Sequence, residues 1–77
     1  SLNFGLADAV AVLSSSTALA DAAATAVSNI VQTADDIPTA IKLAQSIDGV
    51  AGVVIIIGDK LGVWGKVKLS KVDGHVE

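Results

Sequence analysis

The sequence predicts an all-α fold, a helical hairpin of two long helices at about residues 6–34 and 37–69, packed in an oligomer. Two observations carry this prediction. From Leu6 to Ala34 the chain has neither glycine nor proline, and alanine, the strongest helix former, dominates. The segment Thr33–Pro38 then gives one sharp interruption between two stretches whose apolar residues have helical spacing.

The composition predicts that a partner covers part of the surface. The 77 residues allow one domain, residues 1–77, of which 52% are hydrophobic and only 17% charged. Typical soluble domains carry about 25% charged residues, and a chain of this size buries only about 60% of its unfolded surface. The expected partners are copies of the chain and, as a second possibility, lipid. The net charge of −3 makes nucleic acid unlikely except inside an assembly.

The first predicted helix carries two apolar stripes. One stripe consists of Leu6, Val10, Leu13, Thr17, Ala20, Ala24, Val27, Val31 and Ala34. The other consists of Val12, Leu19, Ala23, Ala26 and Ile30. Steps of three and four residues place each stripe on one helix face. Because a two-helix hairpin covers only one stripe, we expect Ala20, Ala23 and Ala24 to form helix-packing contacts, some of them between copies.

The second predicted helix begins near Ile37, with Asp35 or Asp36 as its cap and Pro38 in its first turn. Its glycines, at positions 49, 52, 58, 62 and 65, form a small-residue face. Gly58 and Gly62 match the small-xxx-small pattern of closely packed helices and are predicted as a second helix-packing contact.

An alternative fold is a long helix followed by a C-terminal β-hairpin at residues 53–69. Val53–Ile57 is a run of five β-branched residues, which favours a strand. Apolar residues then alternate with lysines as far as Leu69. In this alternative, Gly58–Gly62 lies in a loop between strands.

The C-terminal part suggests contact with anionic groups. The basic residues after the apolar run are Lys60, Lys66, Lys68 and Lys71. On a helix they could meet lipid headgroups or enclosed phosphates, or form a solvated helix end. Trp64, between the apolar and basic residues, is predicted as an interface anchor, with a core position as the alternative. Residues 1–5 are an initial segment, and residues 70–77 a flexible tail.

No motif for catalysis, a metal or a cofactor is found, so no enzyme and no cofactor are predicted. His75 is the one histidine and has no nucleophile–acid arrangement around it. The hydroxyl run Ser14–Thr17 has no base beside it in the sequence. Neither glycine-rich segment has the spacing of a phosphate loop.

The order of acidic segment, apolar glycine-containing run and lysine cluster resembles the layout of filamentous phage coat proteins and conjugative hairpin pilins. The resemblance covers charge layout only. It implies a non-enzymatic subunit that self-assembles into an oligomer or filament, extracellular or associated with the cell envelope. Because the chain begins at Ser1, we expect a processed N-terminus. The alternatives are a membrane-active peptide or small pore, with residues 47–64 in lipid, and a soluble helical interaction domain.

Overall fold

Two helices and a three-stranded antiparallel sheet make up the fold, as a computed structural model shows for residues 8–67. The elements in chain order are β1 (Ala9–Ser14), α1 (Thr17–Ile30), a 3-10 turn (Ala34–Asp36), α2 (Ile37–Ser46), β2 (Val50–Ile57) and β3 (Lys60–Gly65). The strand order is β1-β2-β3, so β2 lies in the centre. Both helices pack on the same face of the sheet. The predicted all-α hairpin is therefore wrong.

The first long helix was predicted in error because its N-terminal third is a strand. Val10 and Val12 alternate with small alanines, and β1 pairs along β2, which outweighs the helix propensity of alanine. The helix begins only at Thr17. There the hydroxyl of Ser16 accepts a 3.2 Å hydrogen bond from the N–H of Leu19, as an N-cap.

The second predicted helix agrees with the structure only at its start. The helix α2 begins at Ile37, with Pro38 in its first turn, and ends at Ser46. Gly49, at φ +96°, takes a left-handed conformation in the turn before β2. The β-branched run that follows pairs with strands on both sides. A hairpin thus lies in the region that the alternative fold proposed, but the long helix of that alternative is also wrong.

The connection between the helices is held by a capping box. The carboxylate of Asp36 accepts hydrogen bonds from the N–H groups of Gln32 and Thr33, at 2.8 and 3.0 Å. The hydroxyl of Thr33 accepts another from the N–H of Asp35, at 3.2 Å. The carboxylate of Asp36 and the hydroxyl of Thr33 thus satisfy backbone donors around the start of the 3-10 turn.

The core between the helices and the sheet is built from small side chains. The largest fully buried side chains are those of Ile55, Val27, Val31 and Val53. The helices contribute buried alanines, at positions 23, 24, 40 and 44. Small residues allow close approach of backbones but bury little apolar area each, so this core stabilises the fold only modestly.

No helix within residues 8–67 is long and apolar enough to cross a membrane. The predicted initial segment 1–5 and tail 70–77 lie outside the described residues, as does the end of the second predicted helix. The prediction of a single domain over residues 1–77 stays a prediction.

Candidate functional site

The two faces of the sheet differ because only one of them carries helices. The register pairs Val10 with Ile55, Val12 with Val53 and Ile55 with Gly62. These residues face the helices. The opposite face, which we call the open face, consists of Ala9, Ala11, Leu13, Gly52, Val54, Ile56, Leu61, Val63 and Gly65.

All nine positions of the open face are apolar or glycine. Leu61 is 55% exposed, and Leu13, Val63 and Ile56 are 37–38% exposed. An antiparallel sheet with one solvated face normally alternates apolar residues with polar ones. Large contiguous apolar patches on proteins mark interaction surfaces. The open face has the chemistry of an interior surface, although nothing within residues 8–67 covers most of it.

The open face ends at a hydrogen bond on one side and at a pair of glycines on the other. At the β2–β3 turn, the carboxylate of Asp8 accepts a 2.7 Å hydrogen bond from the N–H of Gly58. At the other end, Gly52 lies opposite Gly65, and a methyl group of Val67 covers the space beside Gly52. Within residues 8–67 this methyl group covers only a small part of the open face, since four of its large side chains remain exposed.

Gly58 and Gly62 do not form the predicted contact between helices. Gly58 lies in the β2–β3 turn with φ +60°, and a side chain added there would meet nothing within 4 Å. Gly62 is buried on β3, where an added Cβ would collide with Ile37 and lie 3.3 Å from Ile41. The two glycines therefore have separate roles: Gly58 forms the turn, and Gly62 allows β3 to approach α2 closely.

The alanines predicted to pack helices lie on α1. Ala23 and Ala24 are each 2% exposed and belong to the chain's own core, while Ala20 is half-buried. The buried face of α1 thus combines Ala23 of one predicted stripe with Ala24 and Val27 of the other, and it packs on a sheet that the helical-hairpin prediction lacked. A contact of these residues with another copy stays a prediction.

The predicted basic cluster is divided along β3. Lys60 begins the strand and Lys66 follows its end, so their backbones are about 20 Å apart at the rise of an extended chain. Lys68 and Lys71 lie outside the described residues. Trp64 points to the helix side, where it packs half-buried against the core. Contact of any of these residues with headgroups stays a prediction.

The described residues do not assemble a reactive centre. Hydroxyls of the serine run hold the backbone: that of Ser14 accepts a 3.1 Å hydrogen bond from the N–H of Ser16, which itself caps α1. Within residues 8–67 there is no pocket and no group of acidic, histidine or cysteine side chains that could hold a metal ion. The open face is therefore the one feature of this part that calls for a partner.

Comparison with known protein families shows to which family the chain belongs. Residues 1–51 match the family model described as AbpE bacteria. The chain belongs to this family. No solved structure matches it.

Archaeal proteins with the name UPF0280 are similar along most of the chain. The protein from Methanosarcina acetivorans is 43% identical over 75 residues, which are 95% of this chain and 30% of the relative. The protein from Methanocaldococcus jannaschii is 40% identical over 80 residues, which cover 99% of this chain and 33% of the relative. The chain thus spans about a third of the length of the curated relatives it matches.

These findings overturn the functional hypotheses drawn from the sequence. The self-assembling filament subunit, the membrane pore and the helical interaction domain all required long helices, whereas the chain is an α/β member of the AbpE family with UPF0280 relatives. Nothing in the relatives supports the predicted pilin-like, membrane-associated or secreted character. The cellular location, the partners and the absence of catalysis are not tested and stay predictions.

Sequence reasoning missed the open face, although β2 contains a signal for it. A run of β-branched residues from Val53 to Ile57 is apolar at every position rather than at every second one. Such runs are typical of strands that are covered on both faces. The glycines around this run also fit a helix-packing pattern, and the prediction of a helix followed that pattern instead.

Proposed function

We propose that residues 8–67 supply a helix layer and a sheet layer of a larger protein, and that polypeptide outside residues 1–77 covers the open face. The role of these two layers is to supply a wall of the larger fold's interior rather than reactive groups. The observation that carries the proposal is the composition of the open face, which has no polar side chain at any of its nine positions.

The composition of the central strand β2 supports the proposal that both faces of the sheet are covered. On the helix side, Val53 and Ile55 are fully buried, whereas on the open side Ile56 remains 37% exposed. Each buried apolar area of 100 Å² contributes about 2.5 kcal/mol, so covering the large open-face side chains would add substantially to a fold with a small core.

The length of the relatives supports the proposal that the cover comes from further polypeptide of a larger protein. They are about three times as long as this chain, and the M. acetivorans relative matches it over only 30% of its length. A protein of that length has enough further polypeptide to form a third layer on the open face, and domains usually consist of two or three packed layers.

Co-expression tests the proposal. The 77-residue chain would be produced with a tagged M. acetivorans relative from which the matched 75 residues have been deleted. The wild-type chain is expected to co-purify with it in a soluble complex of one copy each. Leu61→Lys, at the most exposed apolar side chain of the open face, is expected to abolish co-purification. Gln45→Lys, a matched charge on the exposed side of α2, is expected to retain it.

Three outcomes contradict the proposal. One is failure of the wild-type chain to bring the deleted relative into a soluble complex. Another is equal binding by the Leu61→Lys and wild-type chains. The third is a homodimer of the 77-residue chain that Leu61→Lys dissociates and the relative does not displace, since a second copy would then be the occupant of the open face.

A further inference from the structure

Two of the three rows across the open face slope towards β1. In one row across the sheet, Ala9 lies beside Ile56 and then Leu61, and in the next row Ala11 lies beside Val54 and then Val63. In these two rows the side chains grow from methyl groups on β1 to isopropyl and isobutyl groups on β3, whereas in the third row the one large side chain is that of Leu13 on β1, beside Gly52 and Gly65. Both alanines are exposed, so the methyl strip on β1 is a shallow trough beside a ridge of larger side chains.

Among residues 8–67, the β1 side of the sheet also lacks the usual protection of an edge strand. The strand β1 contains neither a charged residue nor a proline, whereas β3 begins with Lys60. Exposed edge strands in monomers normally carry charge or proline, or are covered by another part of the protein. The uncharged composition of β1 therefore places the cover over this strand as well as over the ridge.

We infer that the covering polypeptide places large apolar side chains over Ala9 and Ala11, an inference that rests on the proposed function. Protein interiors are packed with few voids larger than a water molecule. The trough on β1 can reach this density only if leucine, isoleucine, methionine or phenylalanine side chains of the cover fill it. Over Leu61 and Val63, by the same argument, the cover has small side chains.

The two alanines can be enlarged without disturbing the free chain. Because they are exposed, Ala9→Leu and Ala11→Leu are expected to leave its urea unfolding midpoint unchanged. In the complex with the deleted M. acetivorans relative, each leucine would occupy space that belongs to the cover. We expect the dissociation constant, measured by diluting a fluorescently labelled complex, to rise about tenfold or more. Ala11→Ser, which keeps the size, is expected to change it by less than about threefold.

The outcomes separate this inference from the proposed function. If Leu61→Lys abolishes the complex while Ala9→Leu and Ala11→Leu bind as the wild type does, the trough is not filled, and the inference fails while the proposed function stands. Equal weakening by Ala11→Ser and Ala11→Leu would also overturn the inference, because size would not be the cause. If all these variants bind normally, both are wrong.

Discussion

The carboxylate of Asp8 accepts a hydrogen bond from the N–H of Gly58, 50 positions further along the chain, at 2.7 Å. The N–H of Asp8 donates to the carbonyl of Ile56 at 2.8 Å. One residue therefore fixes the start of β1 to the β2–β3 turn. This contact sets the position of β1 beside the hairpin and so helps to define the end of the open face.

Asp8→Ala is expected to lower the free energy of unfolding by about 1 kcal/mol, because the Gly58 N–H loses a charged acceptor in an exposed setting. Urea unfolding followed by circular dichroism measures the change. Asp59→Ala removes the same charge in the adjacent turn, where no partner of Asp59 occurs within residues 8–67, and should have a smaller effect. Equal losses for the two variants would show that general charge, rather than this hydrogen bond, is responsible.

Gly62→Ala is expected to destabilise the fold by about 1–3 kcal/mol, since the added methyl group collides with Ile37 in the contact of β3 with α2. The same urea experiment measures it. Ile37→Leu moves the colliding methyl branch away from the backbone, so the double variant should lose less stability than the two single losses added together. Additive losses would mean that α2 does not approach β3 at this point.

Ser28→Ala is expected to leave stability unchanged or raise it by up to about 2 kcal/mol. The Ser28 hydroxyl is buried and has no hydrogen-bond partner among residues 8–67, so its removal ends a desolvation cost. Ser16→Ala, by contrast, removes the N-cap of α1 and should cost about 1 kcal/mol. Thermal unfolding of both variants gives the comparison. A loss at Ser28 as large as that at Ser16 would indicate a partner for the buried hydroxyl.

The sequence predicts the elements that depend on local chemistry and fails where distant pairing decides. Pro38 marks the start of α2, because proline acts within one turn. Asp36 takes the predicted N-cap position, but its carboxylate accepts from the N–H groups of Gln32 and Thr33 and makes no cap hydrogen bond to α2. Residues 9–14 carry alanine-rich helix propensity, and only pairing with β2, about forty residues away, makes them a strand.

The candidate site was hidden for the same reason. Leu61, Val63 and Ile56 become one surface only through the register of β2 with β3, and Leu13 joins it through β1. The excess of apolar residues predicts a partner, and this stays a prediction. The composition could not say whether the partner is a copy, lipid or further polypeptide, because each of them would cover such a surface equally well.

Carbene footprinting of the open face tests the central claim most directly. The labelling of Leu61 and Val63 would be measured in the free chain and in the complex with the deleted M. acetivorans relative, with Gln45 on α2 as the internal control. We expect strong labelling of Leu61 and Val63 in the free chain, a loss of most of it in the complex, and unchanged labelling of Gln45. Equal labelling of Leu61 in the two states would contradict the account, because the open face would then remain exposed when the rest of the larger protein is present.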